Sequence, residues 1–136
     1  MSFDFVVPAL VGLLPVGSFL AALLYLDSYK LVKLNAVIAI VVCGAAVAGV
    51  CYMVNAQALG LLDIDLIPFS RYVSPIIEET LKGLVIVGLI RAHRIGFLVD
   101  AAIFGFTVGT GFALVENIYF LELVGDAGIG TWIVRG

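Results

Sequence analysis

The sequence predicts an all-α fold: a polytopic bundle of transmembrane helices with four full spans and the start of a fifth. Of the 136 residues, 63% are hydrophobic, and the mean hydropathy is +1.23; a soluble domain is usually only about half apolar. The apolar residues fall into runs of roughly 20, the length of helix that crosses the hydrocarbon core of a bilayer. Helices are the expected spanning form because their backbone groups hydrogen-bond within the segment.

The spans lie in one predicted membrane domain, residues 1–136, and short polar segments connect them. They cover about residues 6–26, 34–54, 72–90 and 97–121. A fifth apolar stretch begins at about residue 129 and stops after a few residues, so we expect the chain to be a fragment of a longer protein. The connector over residues 55–70 is half polar, which fits either a short helix at the membrane surface or an irregular loop.

The start of span 3 has two interpretations, both of which depend on proline. Ser74 followed by Pro75 is typical of a helix N-cap and the first helical position. In that case the helix is short for a span, and Glu78 lies about one turn from its start. Alternatively, Pro75 is a kink within a longer helix that begins near Pro68.

Charged residues in the connections predict the orientation of the chain. The connections after spans 1 and 3 carry basic residues, whereas the N-terminus and the other connections are mainly acidic. Because basic connections stay in the cytoplasm, the N-terminus is predicted to face outward. The chain has seven basic and ten acidic side chains, for a net charge of −3, and shows no basic patch that would indicate nucleic-acid binding.

Charged and amide side chains interrupt the apolar pattern at two places. Glu78, Glu79 and Lys82 lie in SPIIEETLKG, and Glu116 and Asn117 lie in GFALVENIYF. Charges at membrane depth cost several kcal/mol unless they are paired or hydrated, so they mark candidate functional sites. If spans 3 and 4 are antiparallel, the helical rise places both groups at similar depth in the outer half of the membrane. Lys82 lies one turn after the glutamates and can pair with either of them.

Small residues on span 4 predict which face of this helix packs against protein. Ala101, Gly105, Gly109 and Ala113 recur every four residues, a pattern that lets a neighbouring helix approach closely. Glu116 lies within about 20° of both glycines around the helix axis. It is therefore predicted to face protein and to meet the acidic residues of span 3.

These polar residues have structural interpretations as well as a catalytic one. The acids of span 3 could stabilise the first turn of a helix from the headgroup region, and Glu116 and Asn117 could hydrogen-bond to neighbouring helices. A buried acidic path for protons or ions is the main functional alternative, since carboxylates with a lysine also suit relays. Because simple packing rarely needs so many polar groups at one depth, a catalytic site is the leading hypothesis.

Hydrolysis is the reaction class that these residues suit. A carboxylate can act as a general base toward water, and the Asn117 amide can donate a hydrogen bond to a developing oxyanion. Carboxylates could also hold a divalent metal, although no histidine is expected at matching depth. The single histidine, His93, lies in a predicted cytoplasmic connection and is expected to lie near lipid headgroups. Asp100, about 160° around span 4 from Glu116, is expected to pair with Arg91 or Arg94.

Two motifs resemble those of a known family. EETLK, residues 78–82, matches the EExxK motif of the PrsW-type intramembrane proteases, which are distant relatives of the CAAX prenyl proteases and of the bacteriocin-immunity membrane peptidases. FALVEN, residues 112–117, matches the FxxxEN pattern of the second motif, and Asp100 also fits the pattern. The resemblance covers roughly residues 70–122, with the motifs in the family's order on successive spans.

The resemblance implies an endopeptidase of the bacterial cytoplasmic membrane that cleaves membrane-tethered proteins, for example an anti-sigma factor. The implied catalytic residues are Glu78, Glu79, Glu116 and Asn117, supported by Lys82 and Asp100. Either a glutamic or a metal-dependent mechanism is implied, with zinc as the possible cofactor. The family pattern also includes a histidine on a further span, which this sequence does not contain.

Overall fold

A computed structural model describes the backbone of residues 3–26 and 33–123, and the side chains of residues 14–25 and 33–120. These residues are almost entirely helical, which confirms the predicted all-α class. The α-helices are α1 (Phe3–Leu26), α2 (Leu34–Leu62), α3 (Leu66–Pro68), α4 (Ser74–Arg91) and α5 (Leu98–Leu123). A π-helical segment, Phe69–Val73, joins α3 to α4. The predicted fifth span, from about residue 129, lies outside the described residues.

Two of these helices are long and apolar enough to cross a membrane: α2, and the Leu98–Phe120 part of α5. The prediction of four full spans is not confirmed: α4 does not meet the same criterion, and the described part of α1 is too short to meet it. The 18 residues of α4 include two glutamates, a lysine and an arginine. In α1, the apolar stretch within the described side chains is the shorter Leu14–Tyr25.

The core lies along the seam between α2 and α5, which run parallel to each other. Ile40 of α2 packs with Phe104 of α5, and further along both helices Cys51 packs with Phe112. Residue numbers increase in the same direction along both helices at these contacts, so the N-terminal ends of α2 and α5 lie at the same end of the core.

The α4 helix runs antiparallel to this pair. Leu89, near its end, packs against the cluster of Ile40 and Phe104, whereas Leu81 packs against the cluster of Cys51 and Phe112. The first turns of α4 therefore lie beside the C-terminal halves of α2 and α5. On another side of α5, α1 makes contacts that include the rings of Phe19 and Phe106, whose centroids are 4.6 Å apart.

Two glycines allow α2 and α5 to touch backbone to backbone. A β-carbon at Gly44 would overlap the carbonyl oxygen of Val108, and one at Gly111 would overlap the carbonyl oxygen of Val41. At Gly105 and Gly109, by contrast, no described atom lies within 4 Å of that position. The closest approach of α2 and α5 therefore occurs at one crossing point, on a side of α5 other than the predicted packing face.

The π-helical segment carries the helix past Pro75. Proline has no N–H, and its ring conflicts with the carbonyl group four residues earlier, here that of Arg71. In the wider π turn, the N–H of Ser74 donates to the carbonyl oxygen of Phe69, five residues earlier. The chain is thus helical without a break from Leu66 to Arg91, as the second interpretation of Pro75 required.

The α2 helix is longer than its predicted span, which ended at about residue 54. Residues 55–62 continue the helix, because their alanine, glutamine and leucine side chains are good helix formers and no proline intervenes. The helix ends at Asp63, whose φ of 49° is left-handed. The predicted connector is therefore mostly helix, and Asn55 lies on α2 rather than in a loop.

His93 ends α4 through its backbone. Its φ is 55°, its N–H donates to the carbonyl oxygen of Ile90, and the N–H of Arg94 donates to that of Leu89. These two bonds form a Schellman motif, in which the residue after the helix adopts the left-handed conformation. Histidine visits this conformation more readily than most residues.

The outward faces of the helices carry large apolar side chains. Exposed examples are Val42 and Met53 on α2, Leu84 and Val87 on α4, and Ile118 on α5. Soluble monomers rarely expose apolar surface on this scale. A lipid environment removes the cost of that exposure.

Candidate active site

A cavity of about 470 Å³ lies between α2, α4 and α5. Small residues of α2, Ala48 and Gly49, form part of its wall, and Glu78 of α4 and Glu116 of α5 face it from the other two helices. This volume is within the usual range for small-ligand sites, about 300–1,000 Å³. Because α4 is antiparallel to α5, the start of one helix and the end of the other bring the two carboxyl groups to one space.

Glu78 is held by a chain of hydrogen bonds that begins on α2. The Ser74 hydroxyl donates to Glu78 Oε1 at 2.7 Å. Asn55 Nδ2 donates to Ser74 Oγ at 2.7 Å, and a longer contact of 3.4 Å joins it to Glu78 Oε1. Glu78 is half-buried, and its carboxylate is thus bound on one side and next to the cavity on the other.

Asn55 is a site residue that the sequence analysis missed. It was assigned to the half-polar connector, where an amide is unremarkable. The signal that could have identified it is helical: residues 55–62 contain good helix formers, so Asn55 lies one turn after Cys51 on the face of α2 that packs inward.

Glu79 and Lys82 form a separate pair beside the cavity. Lys82 Nζ lies 2.8 Å from Glu79 Oε1, and the Glu79 side chain is 74% exposed. The same ammonium group lies 4.0 Å from the centroid of the Phe112 ring. Of the two glutamates that Lys82 could pair with, the structure therefore joins it to Glu79, while Glu78 lines the cavity.

The two residues of the second motif have different surroundings. Glu116 is exposed at the cavity. Asn117 is buried, with 6% of its surface exposed, and it does not belong to the described cavity lining. An i, i+1 pair points in directions about 100° apart on a helix, so adjacent residues rarely reach the same space.

Asp100 caps the opposite end of α5. Its Oδ2 accepts hydrogen bonds from the N–H groups of Gly96 and Phe97, both at 3.1 Å. The expected pairing with Arg91 or Arg94 was wrong: the Asp100 carboxylate is bound by backbone N–H groups, and it forms no ion pair with either arginine. The two N–H groups are fixed within reach of Asp100 by the helix start, whereas both arginines are exposed.

Comparison with known families decides what this arrangement belongs to. A family model, described as PrsW family intramembrane metalloprotease, matches residues 33–136. The chain belongs to this family. The match includes α2, α4 and α5, and therefore every residue of the cavity. Comparison with curated proteins and with solved structures gives no match.

Membership of the PrsW family makes the chain a membrane protein of an intramembrane protease family. Two observations agree with this: α2 and α5 are long enough to span a bilayer, and the outward helix faces are apolar. The family also implies membrane proteins as substrates and lipid as the surroundings.

The description of this PrsW-family match includes a metal, so the donor set of the cavity requires a test. A catalytic zinc usually has three protein ligands. Among the side chains of residues 14–25 and 33–120, no group of three His, Cys, Asp or Glu comes close enough to hold a metal ion. Glu78 and Glu116 are two carboxylates, one ligand fewer than a catalytic zinc usually has, so on their own they do not fit a zinc site.

Proposed function

We propose that this chain carries the catalytic carboxyl groups of an intramembrane endopeptidase that hydrolyses peptide bonds of membrane-tethered proteins, for example an anti-sigma factor. The observation that carries the proposal is the cavity that Glu78 and Glu116 share, within a chain of the PrsW family. Supporting it, the cavity lies between helices and is large enough to accept a short extended segment of a substrate.

Glu78 is the proposed general base. Its Oε1 already accepts a hydrogen bond from the Ser74 hydroxyl, which leaves Oε2 to accept a proton from water in the cavity. The water oxygen then attacks the carbonyl carbon of the scissile peptide and forms a tetrahedral intermediate. Glu79, the other glutamate of the motif, is paired with Lys82 of its own helix and exposed, so we assign it no chemical step.

Glu116 is the proposed general acid. It faces the cavity from α5, across from the first turns of α4. As a carboxylic acid it gives its proton to the amine nitrogen, and the carbon–nitrogen bond breaks. The proton of the newly formed carboxyl group passes to the amine, so the products leave as a carboxylate and an ammonium group. The proton that Glu78 took from water returns to Glu116 through solvent, which restores both groups. The predicted oxyanion role of Asn117 stays a prediction.

The proposed membrane arrangement follows from the charges of the connections. We propose four spans in the bacterial cytoplasmic membrane with the N-terminus outside. The helix directions support this arrangement. Successive spans must cross the membrane in opposite directions, and α4 runs antiparallel to α2 and α5. The cavity, near the ends of α2 and α5, then lies in the outer half of the bilayer.

Adjacent glutamates provide a matched test of the chemistry. In the full-length protein, reconstituted with a membrane-tethered peptide reporter, Glu78→Gln should lower the cleavage rate by about 10²–10⁴-fold, the usual contribution of a general base. Glu79→Gln, an identical change at the next residue, should retain most of the activity. Equal activity of both variants and the parent protein would refute the proposal.

Filling the cavity is the second test. No described atom lies within 4 Å of a β-carbon built at Gly49, which lines the cavity, so Gly49→Leu should fold normally and exclude the substrate. The measurement is reporter cleavage together with the thermal unfolding midpoint. A folded Gly49→Leu variant with full activity would show that the substrate binds elsewhere.

A further inference from the structure

We infer that Asn55 is a positioning residue, which holds Ser74 and Glu78 ready for the reaction and is retained at a cost to stability. The inference rests on the proposed role of Glu78. It assigns a function to a residue of α2 that belongs to neither motif of the sequence.

Two successive hydrogen bonds connect Asn55 to Glu78. Asn55 Nδ2 donates to Ser74 Oγ, and the Ser74 hydroxyl donates to Glu78 Oε1, each at 2.7 Å. Hydrogen bonds to an ionised acceptor are among the stronger ones. These hydrogen bonds determine which carboxylate oxygen of Glu78 accepts a hydrogen bond from Ser74, and so which oxygen is left to face the cavity.

The partners of the Asn55 amide determine its orientation. A reversed amide would place Oδ1 where Nδ2 now contacts Glu78 Oε1. Amide and carboxylate oxygens are both acceptors, so the reversed form brings two acceptors together. The hydrogen-bond partners therefore select the orientation in which Nδ2 donates.

The oxygen of the same amide has different surroundings from its nitrogen. Asn55 Oδ1 is buried and accepts no hydrogen bond from any of the described residues. A buried acceptor without a donor loses its hydration without compensation. An asparagine selected for packing alone would have both ends satisfied, so the uncompensated oxygen indicates that the amide is kept for its donor.

The experiment replaces this amide by an apolar side chain of similar size. Asn55→Leu removes both the donor and the buried acceptor. We expect kcat to fall by about tenfold or more, the usual scale for losing an outer partner of an active-site group. We expect KM to change much less than kcat, because Asn55 is one of several residues that line the cavity and leucine keeps its approximate size. We expect the thermal midpoint to stay level or rise.

Two further variants make the measurement specific. Gln57→Leu removes an exposed amide of the same helix and should leave kcat unchanged. Ser74→Ala should lower kcat as Asn55→Leu does, and Ser74→Thr, which restores the hydroxyl, should recover part of that loss. If Asn55→Leu does not accumulate as a folded protein, Asn55→Ala is measured in the same way with the same expectation for kcat and KM.

Each result decides between roles. An unchanged kcat in Asn55→Leu, or a thermal midpoint that falls together with kcat, overturns the inference and leaves Asn55 as a packing residue. Failure of the proposed function is seen separately, as full activity in Glu78→Gln. If Glu78→Gln is inactive while Asn55→Leu is fully active, only the positioning role is refuted.

Discussion

Lys82 joins two helices through two different contacts. Its ammonium group pairs with Glu79 on its own helix and lies over the ring of Phe112 on α5. In the first contact the Glu79 side chain is largely exposed, and exposed ion pairs contribute little to the free energy of unfolding. The second lies against the core, where a cation over an aromatic face is worth more.

A pair of double-mutant cycles separates these contributions. Lys82→Met combined with Phe112→Leu should show a coupling of about 0.5–2 kcal/mol in the free energy of unfolding. Lys82→Met combined with Glu79→Gln should show at most about 0.5 kcal/mol. Unfolding in detergent micelles measures both, and a larger coupling to Glu79 than to Phe112 would contradict this ranking.

His93 has a backbone role that a substitution can test. The left-handed conformation at φ 55° suits glycine, which has no β-carbon, although glycine also loses more entropy on folding. His93→Gly should therefore leave the free energy of unfolding unchanged or raise it by up to about 1 kcal/mol, with reporter cleavage unaltered. A large loss of activity without a loss of stability would instead assign chemistry to this imidazole.

At the residue scale, the candidate polar residues could be predicted from the sequence, but not which of them line the cavity and which pair with each other. Apolar flanks identified Glu78, Glu79, Lys82 and Glu116 as candidates. The position of α2 helps to separate Glu78 from Glu79, because Asn55 of α2 contacts Glu78 and donates to Ser74, which in turn donates to Glu78. That position depends on contacts between helices distant in sequence, which hydropathy and spacing do not contain.

At the scale of the helices, the crossing of α2 and α5 depends on two glycines. Gly44 and Gly111 each face a backbone carbonyl group of the other helix. Because backbone cannot move aside as a flexible side chain can, any β-carbon there forces the helices apart.

The same helix provides a matched pair of substitutions. Gly111→Ala should lower the free energy of unfolding by about 1–3 kcal/mol, the usual cost of overpacking. Gly105→Ala, where no described atom lies within 4 Å, should leave it unchanged or raise it by up to about 1 kcal/mol through helix propensity. Equal effects at both positions in equilibrium unfolding would place the crossing elsewhere.

Helix existence was predictable, whereas helix ends and packing faces were not. Long apolar runs indicated α2 and α5 because lipid and core both demand such residues. The ladder containing Gly105 and Gly109 has the spacing of a packing face, but spacing alone cannot show which of several small residues meets a partner. The end of α2 was misplaced because polar residues such as Asn55 are as compatible with a buried site as with a loop.

At the scale of the whole molecule, the helix directions agree with an alternating path through a membrane. α2 and α5 run parallel and α4 runs against them, which the core contacts show. The connection that contains Asp65 and the one that contains Arg94 therefore lie at opposite ends of the bundle.

Single cysteines test the proposed orientation. In a background with Cys43→Ala and Cys51→Ala, Asp65→Cys should react with a membrane-impermeant maleimide in intact cells. Arg94→Cys should react only after the membrane is made permeable, because basic connections remain in the cytoplasm. The opposite labelling pattern would reverse the proposed topology and place the cavity in the inner half of the bilayer.

The π-helical segment makes the number of residues before Pro75 a determinant of activity. A π turn holds about one residue more than an α turn, and one residue corresponds to about 100° of rotation. Deleting Ser70 should thus remove the extra residue of the π turn, rotate α4 relative to the residues before it, and carry Glu78 away from Asn55. Ser70→Ala, at an exposed position, should remain active. Exposed side chains of this segment can then vary, but a change of its length by a single codon separates the base from its support.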